Sequence, residues 1–371
     1  MHQRSLVLDH EPTSPMDTAG FDLGWDHARH GLVPPPELLL EGTPVGQGWR
    51  AGRAMFGRRS LAAPQGTRQW LELRTCAWRA GIAFETQQLT PHLLRQLASE
   101  RCPVTRARLG GADDTAPIFE RLNPQAGYAA GNVVQVSRAA ARARTGIDTA
   151  EAVRRARRIE AGADAIDGLD AGAWWRLAVL RSFATPLRFV EAARLPLAAL
   201  PPNRARLLNA VQGLQALLTL QFTAPGWGSR LRAVAEMLPA HTLRHDFNLW
   251  VGSLVPRVLQ ATRQARDLRL TLEDAWLEER VMRRWQHFVL ALGEPGTEAL
   301  LERVATTAVP GRVTLQHAPE QAVEGWALAS AGRLNGTGSA TAAVPAIRRR
   351  TGRPPAPPAP RATAAPRPSA R

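Results

Sequence analysis

The stretch that decides the fold runs from Cys102 to Arg144 and reads CPVTRARLGGADDTAPIFERLNPQAGYAAGNVVQVSRAAARAR. Short apolar pieces alternate here with turn residues: Cys102-Pro103, Gly110-Gly111, Asp113-Asp114, Asn123-Pro124, Gly127 and Gly131. Gly and Asn accept positive φ and Pro presets φ, so each pair breaks a regular element. Val133, Val134 and Val136 then make a short strand. Ser137 stands where it caps a helix running to about Arg144. Asp148 and Glu151 have capping-box spacing and open a further helix to about Glu160.

On either side of this stretch the pattern turns helical. Upstream, Trp70, Leu73, Ala77, Ala80 and Phe84 recur at spacings of three and four, which predicts a helix from Thr67 to Glu85. Thr90 as N-cap with Pro91 at the first position opens another, ending near Glu100. Downstream, residues from Ala173 to about Thr307 carry apolar stripes such as Leu207-Val211-Leu214-Leu218 and Leu277-Val281-Trp285-Phe288-Leu292. At ordinary helix lengths that is roughly five to seven helices. The fold class is therefore mainly α. Residues 1–66 read as irregular, because Pro34-Pro35-Pro36 and repeated glycines interrupt any periodicity. Residues 311–334 read as a strand and a helix, and residues 335–371, rich in Ala, Pro and Arg without an apolar stripe, as a disordered tail.

Composition narrows the function classes. All 47 basic residues are arginine, against 32 acidic ones, for a net charge of +15. Arginine in place of lysine suits a GC-rich bacterial coding sequence, but such a swap conserves charge and does not explain the excess. Excess charge of this size points to polyanions, either nucleic acid or an anionic membrane surface. Eight arginines and no acid fall between Arg333 and Arg371, so the other 39 basic and 32 acidic residues leave +7 elsewhere. Two cysteines, Cys76 and Cys102, exclude a disulfide framework and a four-cysteine zinc site. The N-terminus lacks the apolar core of a signal peptide. The longest uncharged stretch, Leu207 to Ser229, holds Asn209, Gln212, Gln215 and Gln221 and reads as a buried helix rather than a membrane span. The expectation is a soluble, cytoplasmic protein with no membrane partner.

Cys102, Pro103, Thr105, Arg121, Asn123, Gly127, Tyr128, Gly131, Asn132, Val133 and Ser137 occur in the order and spacing of a known pattern. In these residues the chain resembles the HNH endonuclease superfamily, in its phage and proteobacterial subgroup with a CPxT…DR…GYxxGN signature. The stretch GWDHARHGLVPPPELL at residues 24–39 is similar to proteobacterial proteins that carry such a domain. The resemblance implies a β-hairpin followed by a helix around one divalent cation, such as Mg²⁺, which polarises the scissile phosphate. It divides the chain into a unit over residues 67–160, with an HNH-like ββα core at 101–146, and a helical domain over 161–310. It points to Glu120, Arg121 and Asn132 as catalytic positions, and to Glu120 with Asp113 or Asp114 as metal ligands.

The chain departs from the family where chemistry depends on it. The family aspartate before arginine is Glu120, the helix asparagine aligns with Ala141, and the following lysine position is Arg144. A longer carboxylate still reaches a cation, whereas a methyl group offers no ligand atom. The resulting expectation is a degenerate HNH-like domain with little or no cleavage. Taken singly, the same residues also read as turns, a core tyrosine, a small apolar cysteine and a solvated acidic loop.

Seven arginines lie between Arg138 and Arg158, opposed by Asp148 and Glu151, for a local charge of +5. Arg138 and Arg142 share one helix face, as do Arg154 and Arg158. Together with Arg144 and Arg155 they form the expected nucleic-acid contact, independent of base sequence and sensitive to salt. His241 and His245 have zinc-compatible spacing but no third ligand, and read as solvated. Asp26, His27 and His30 read as hydrogen-bonding groups that hold the N-terminal segment. Trp174 and Trp175 cannot both face inward on one side of a helix, so one of them marks an interface. The favoured function is non-specific DNA association. Two rivals stand beside it: a metal-dependent endonuclease using Glu120, and a scaffold that binds a protein through the helical region.

Overall fold

A computed structural model describes residues 14–306 and 323–334. The expectations for residues 311–322 and for the tail at 335–371 lie outside the described residues. Among these, helices predominate and the sheet is a single pair of strands.

Helix α1 (Pro15–Arg29) starts at Ser14, whose side chain accepts the Asp17 N–H, and α2 (Pro44–Phe56) starts at Thr43, which accepts from Gly46. Both lie in the segment read as irregular, so that reading is corrected. Its error lay in the glycines. A Cβ on Gly24 would overlap the Val45 carbonyl oxygen, and one on Gly48 would overlap that of Phe21. The glycines are contact points where two helix backbones touch, and they break the apolar stripe without breaking the helices.

Helix α3 (Gln65–Arg79) buries Trp70, Leu73 and Ala77 as its stripe predicts. It stops six residues short of Glu85, because Gly81 takes φ +64° just past its end. Ile82 and Phe84 continue as extended chain, bridging Arg333 and Tyr128. Helix α4 (Pro91–Leu97) is capped by the Thr90 side chain. Strands β1 (Pro117–Arg121) and β2 (Val133–Ser137) pair antiparallel with Glu120 opposite Val134, and α5 (Arg138–Ala143) follows directly under a Ser137 cap. Then come α6 (Thr149–Glu160), α7 (Ala171–Phe183), α8 (Phe189–Ala193), α9 (Ala210–Gln221), α10 (Trp227–Glu236), α11 (His241–Arg263), α12 (Leu268–Ala275) and α13 (Glu279–Thr306), the last kinked at Gly293 ahead of Pro295.

All five residues of β2 are buried, because the hairpin separates two packed cores. Val134 and Val136 join the larger core with Cys102, Ala140 and the helices from α6 to α13, while Phe119, Tyr128 and Val133 face the smaller one with Leu23, Val45, Trp70 and Leu94. The ββα unit and the helical region therefore share one hydrophobic core, and no physical boundary falls at residue 160. In the larger core Trp250, Trp276 and Trp285 pack with ring centroids 5.3–5.6 Å apart. Trp174 and Trp175 are both buried, which corrects the interface reading. Neighbours enclose α7 on all sides, and Trp175 Nε1 donates to Glu160 at 2.7 Å. No helix among the described residues is long and apolar enough to cross a membrane.

Gly48→Ala is expected to lower unfolding free energy by about 1–3 kcal/mol, since the helix pair must separate to admit a methyl group. Gly228→Ala in α10 meets no atom within 4 Å and is expected to raise it by about 0.5–1 kcal/mol. Urea unfolding of the two variants checks both signs.

Candidate functional site

The loop between β1 and β2 is held from every side. Asn132 is fully buried at the start of β2. Its Oδ1 accepts the Asn123 N–H at 2.7 Å, and its Nδ2 donates to the carbonyls of Asn123 and Gly127 at 3.1 and 2.8 Å. With all its polar atoms satisfied inside the loop, Asn132 acts as a structural staple. Asn123 in turn donates to the Ala184 carbonyl just past α7 at 3.1 Å. Trp326 Nε1 donates to the Ala130 carbonyl at 3.1 Å, and the Gly127 N–H donates to the Trp326 carbonyl at 2.7 Å.

Arg121 also faces inward. Its Nη1 donates to the Pro124 and Ala126 carbonyls at 2.8 and 2.7 Å, and its guanidinium lies over the Tyr128 ring, 5.3 Å from the centroid. Burial, followed by the negative charge of Glu120, pushes the Tyr128 hydroxyl up to about 12. Glu120, with its side chain 31% exposed, forms an ion pair with Arg144 at 3.4 Å. Arg144 closes α5 in the interior and also donates to the Arg121 carbonyl. Arg181 of α7 donates to the Arg144 carbonyl at 2.9 Å. Burial holds the Arg144 guanidinium below its usual range against the opposing effect of Glu120. Burial, and then the Arg144 charge, bring Arg181 down to about 10.

The remaining expected ligands stand elsewhere. Asp113 caps its own loop, accepting from the Thr115 N–H at 3.3 Å and hydroxyl at 3.1 Å, and the Thr115 N–H holds its carboxyl below the ordinary range. Asp114 pairs with Arg142 on the surface. Among the described residues, no three His, Cys, Asp or Glu side chains converge, so Glu120, Asp113 and Asp114 do not assemble into the expected cation site. Ala141, at the family's ligand position, packs against the core. Neither His241 nor His245 belongs to such a group. Asp26 pairs with Arg74 at 2.5 Å and ties α1 to α3, His27 Nδ1 bonds the Leu23 carbonyl within α1 at 2.9 Å, and the buried Nδ1 of His30 has no partner among the described residues.

The expected arginine surface divides in two. Arg144 is internal, and Arg155 is paired with Glu151 and Asp167 while its guanidinium stacks over Trp174 at 4.6 Å. These two belong to the packing and are withdrawn from the contact surface. Arg138, Arg142, Arg154 and Arg158 are exposed. Arg138 reaches the Ala112 carbonyl at 2.6 Å and Arg154 pairs with Glu151 at 2.7 Å. Arg158 and its neighbour Arg157 carry no side-chain partner among the described residues and point into solvent from α6. Reasoning from sequence missed Arg181 and Trp326. Arg181 had a signal, a charge embedded in the apolar run AWWRLAVLRSF, since a buried guanidinium needs internal acceptors. Trp326 had none, because its partner Ala130 is remote in sequence.

A scan of protein-family models, a search of curated proteins and a search of solved structures each return no match for the chain.

Glu120→Gln removes the acid opposite Arg144 while keeping its shape. It is expected to lower unfolding free energy by about 1–3 kcal/mol, below the usual cost of breaking a fully buried pair because Glu120 retains some solvent. Adding Arg144→Met is expected to recover part of that loss. A role for Glu120 in chemistry alone would leave the stability of Glu120→Gln unchanged.

Proposed function

We propose that the chain is a nucleic-acid-associated protein built around a degenerate HNH-like ββα unit, which binds duplex DNA without regard to sequence and does not cleave it. The observation that carries this reading is the state of Glu120. It is the one carboxylate at the family's acidic position, it is engaged with a buried arginine, and no group of three or more His, Cys, Asp or Glu side chains forms around it among the described residues. A metal-dependent hydrolase needs at least one more ligand to hold a cation in place. Binding draws support from the guanidiniums of α5 and α6 that remain in solvent and from the net charge of +15. Arginine forks match phosphate oxygens and need no base contact. The scaffold alternative would rest on Leu249, Leu259 and Leu290, exposed on α11 and α13. Single exposed leucines are ordinary on a protein surface and give that alternative little support.

The test is the salt dependence of binding to an unphosphorylated duplex, read by fluorescence anisotropy. Arg157→Ala with Arg158→Ala is expected to reduce the slope of log K against log salt by about 2, at roughly 0.9 for each phosphate left without its arginine. Arg155→Ala is expected to leave the slope unchanged and lower stability, because its charge is spent on Glu151 and Asp167. An unaltered slope in the α6 double variant, or no binding at low salt, would overturn the reading.

A further inference from the structure

Between α4 and the loop that precedes α9 lies a cavity of about 380 Å³, with the hairpin loop at one wall through Ala130. Among the described residues its polar lining is Gln88, Thr90, His92, Gln96, Arg204 and Arg206, with no carboxylate. Two guanidiniums, an imidazole, a hydroxyl and two amides make a set dominated by hydrogen-bond donors.

The cationic floor is built in. Arg206 is only 7% exposed and donates to Gln88 Oε1. Gly131 makes room for it: a Cβ there would fall 2.6 Å from the Arg206 chain, and the residue stands at φ +86°. Burial lowers the Arg206 guanidinium from its usual range, while Glu85 and Glu324 oppose that effect. Neither acid lines the cavity, and Glu85 is occupied in accepting the Gln88 and Leu89 N–H groups at 2.8 and 3.1 Å. Arg204 stands exposed at the rim with no side-chain partner among the described residues. Its loop is tied to α4 by Asn203, which donates to the Gln96 carbonyl at 2.7 Å.

His92 and Gln96 also line the cavity. The two His92 nitrogens lie 3.1 Å from Arg95 Nη2 and 2.8 Å from the Gln96 amide. A neutral imidazole accepts at one nitrogen only. With Arg95 donating to Nδ1, Nε2 is protonated and its natural partner is the Gln96 carbonyl oxygen, the atom otherwise buried without a partner. Turned that way, the Gln96 carbonyl oxygen gains a partner and the side chain is held against His92.

We propose that this cavity binds a terminal phosphate monoester, borne by a nucleotide or by the end of a nucleic-acid strand. A monoester presents a dianion with three terminal oxygens, which several convergent donors satisfy together. A diester within a continuous backbone offers one charge and two such oxygens, and its flanking nucleotides must pass through a concave wall. The volume suits a ligand of nucleoside monophosphate size. The proposal stands apart from duplex association, which rests on α5 and α6.

Isothermal titration of the full chain tests it with adenosine 5′-monophosphate against adenosine, and with a 5′-phosphorylated single-stranded oligonucleotide against its unphosphorylated twin. The phosphate-bearing member of at least one pair is expected to bind about tenfold or more tightly than its partner. Arg204→Ala should abolish that preference, while Arg280→Ala, which removes the same charge from an exposed position on α13, should keep it. A preference in the nucleotide pair alone identifies a nucleotide, and one in the strand pair alone identifies a strand end. Absence of preference in both pairs, or a preference that survives Arg204→Ala, overturns the proposal. Neither result touches the duplex reading, which is measured on unphosphorylated DNA through Arg157 and Arg158.

Discussion

A guanidinium taken out of water costs several kcal/mol unless charge and hydrogen bonds meet it inside. Arg144 imposes that constraint at the junction of the ββα unit and the helical region. It lies buried where α5 ends, and two groups answer it, the Glu120 carboxylate and the Arg121 carbonyl, while Arg181 donates to the Arg144 backbone carbonyl from α7 and sets a second positive charge beside it. Glu120 is thereby part of the packing. Releasing Glu120 to hold a cation would leave Arg144 and Arg181 facing each other with less negative charge between them.

The same logic governs the loop from Asn123 to Asn132. Ten residues of irregular chain lie between two cores, and their backbone groups must find partners away from water. Asn132, Asn123, Trp326 and the extended chain at Ala83 to Glu85 supply them. The loop is consequently a rigid joint between the N-terminal helices and α7. Residues that read as a signature of chemistry, such as Asn132 and Arg121, are accounted for by this bonding.

Local patterns made much of this legible. Stripes at helical spacing, the caps at Thr90, Ser137 and Asp148, and the valines of β2 lead directly to the elements observed. The helices α1 and α2 were hidden because Gly24 and Gly48 serve contacts between helices, and an isolated sequence cannot separate a contact glycine from a turn glycine. At the site, sequence order brought Glu120 and the arginines of α5 and α6 to notice. It could not separate Arg155 over Trp174 from Arg158 in solvent, although the two are three residues apart on one helix. Which arginines are spent inside depends on acids and rings brought up by distant elements.

The central claim is association without cleavage, and incubation with supercoiled plasmid in Mg²⁺ or Mn²⁺ tests it most directly. At protein concentrations that fully retard the plasmid in a gel, the account predicts that it remains supercoiled after deproteinisation, equally with metal and with EDTA. Metal-dependent nicking that disappears in Glu120→Ala, under conditions where that variant remains folded, would contradict it.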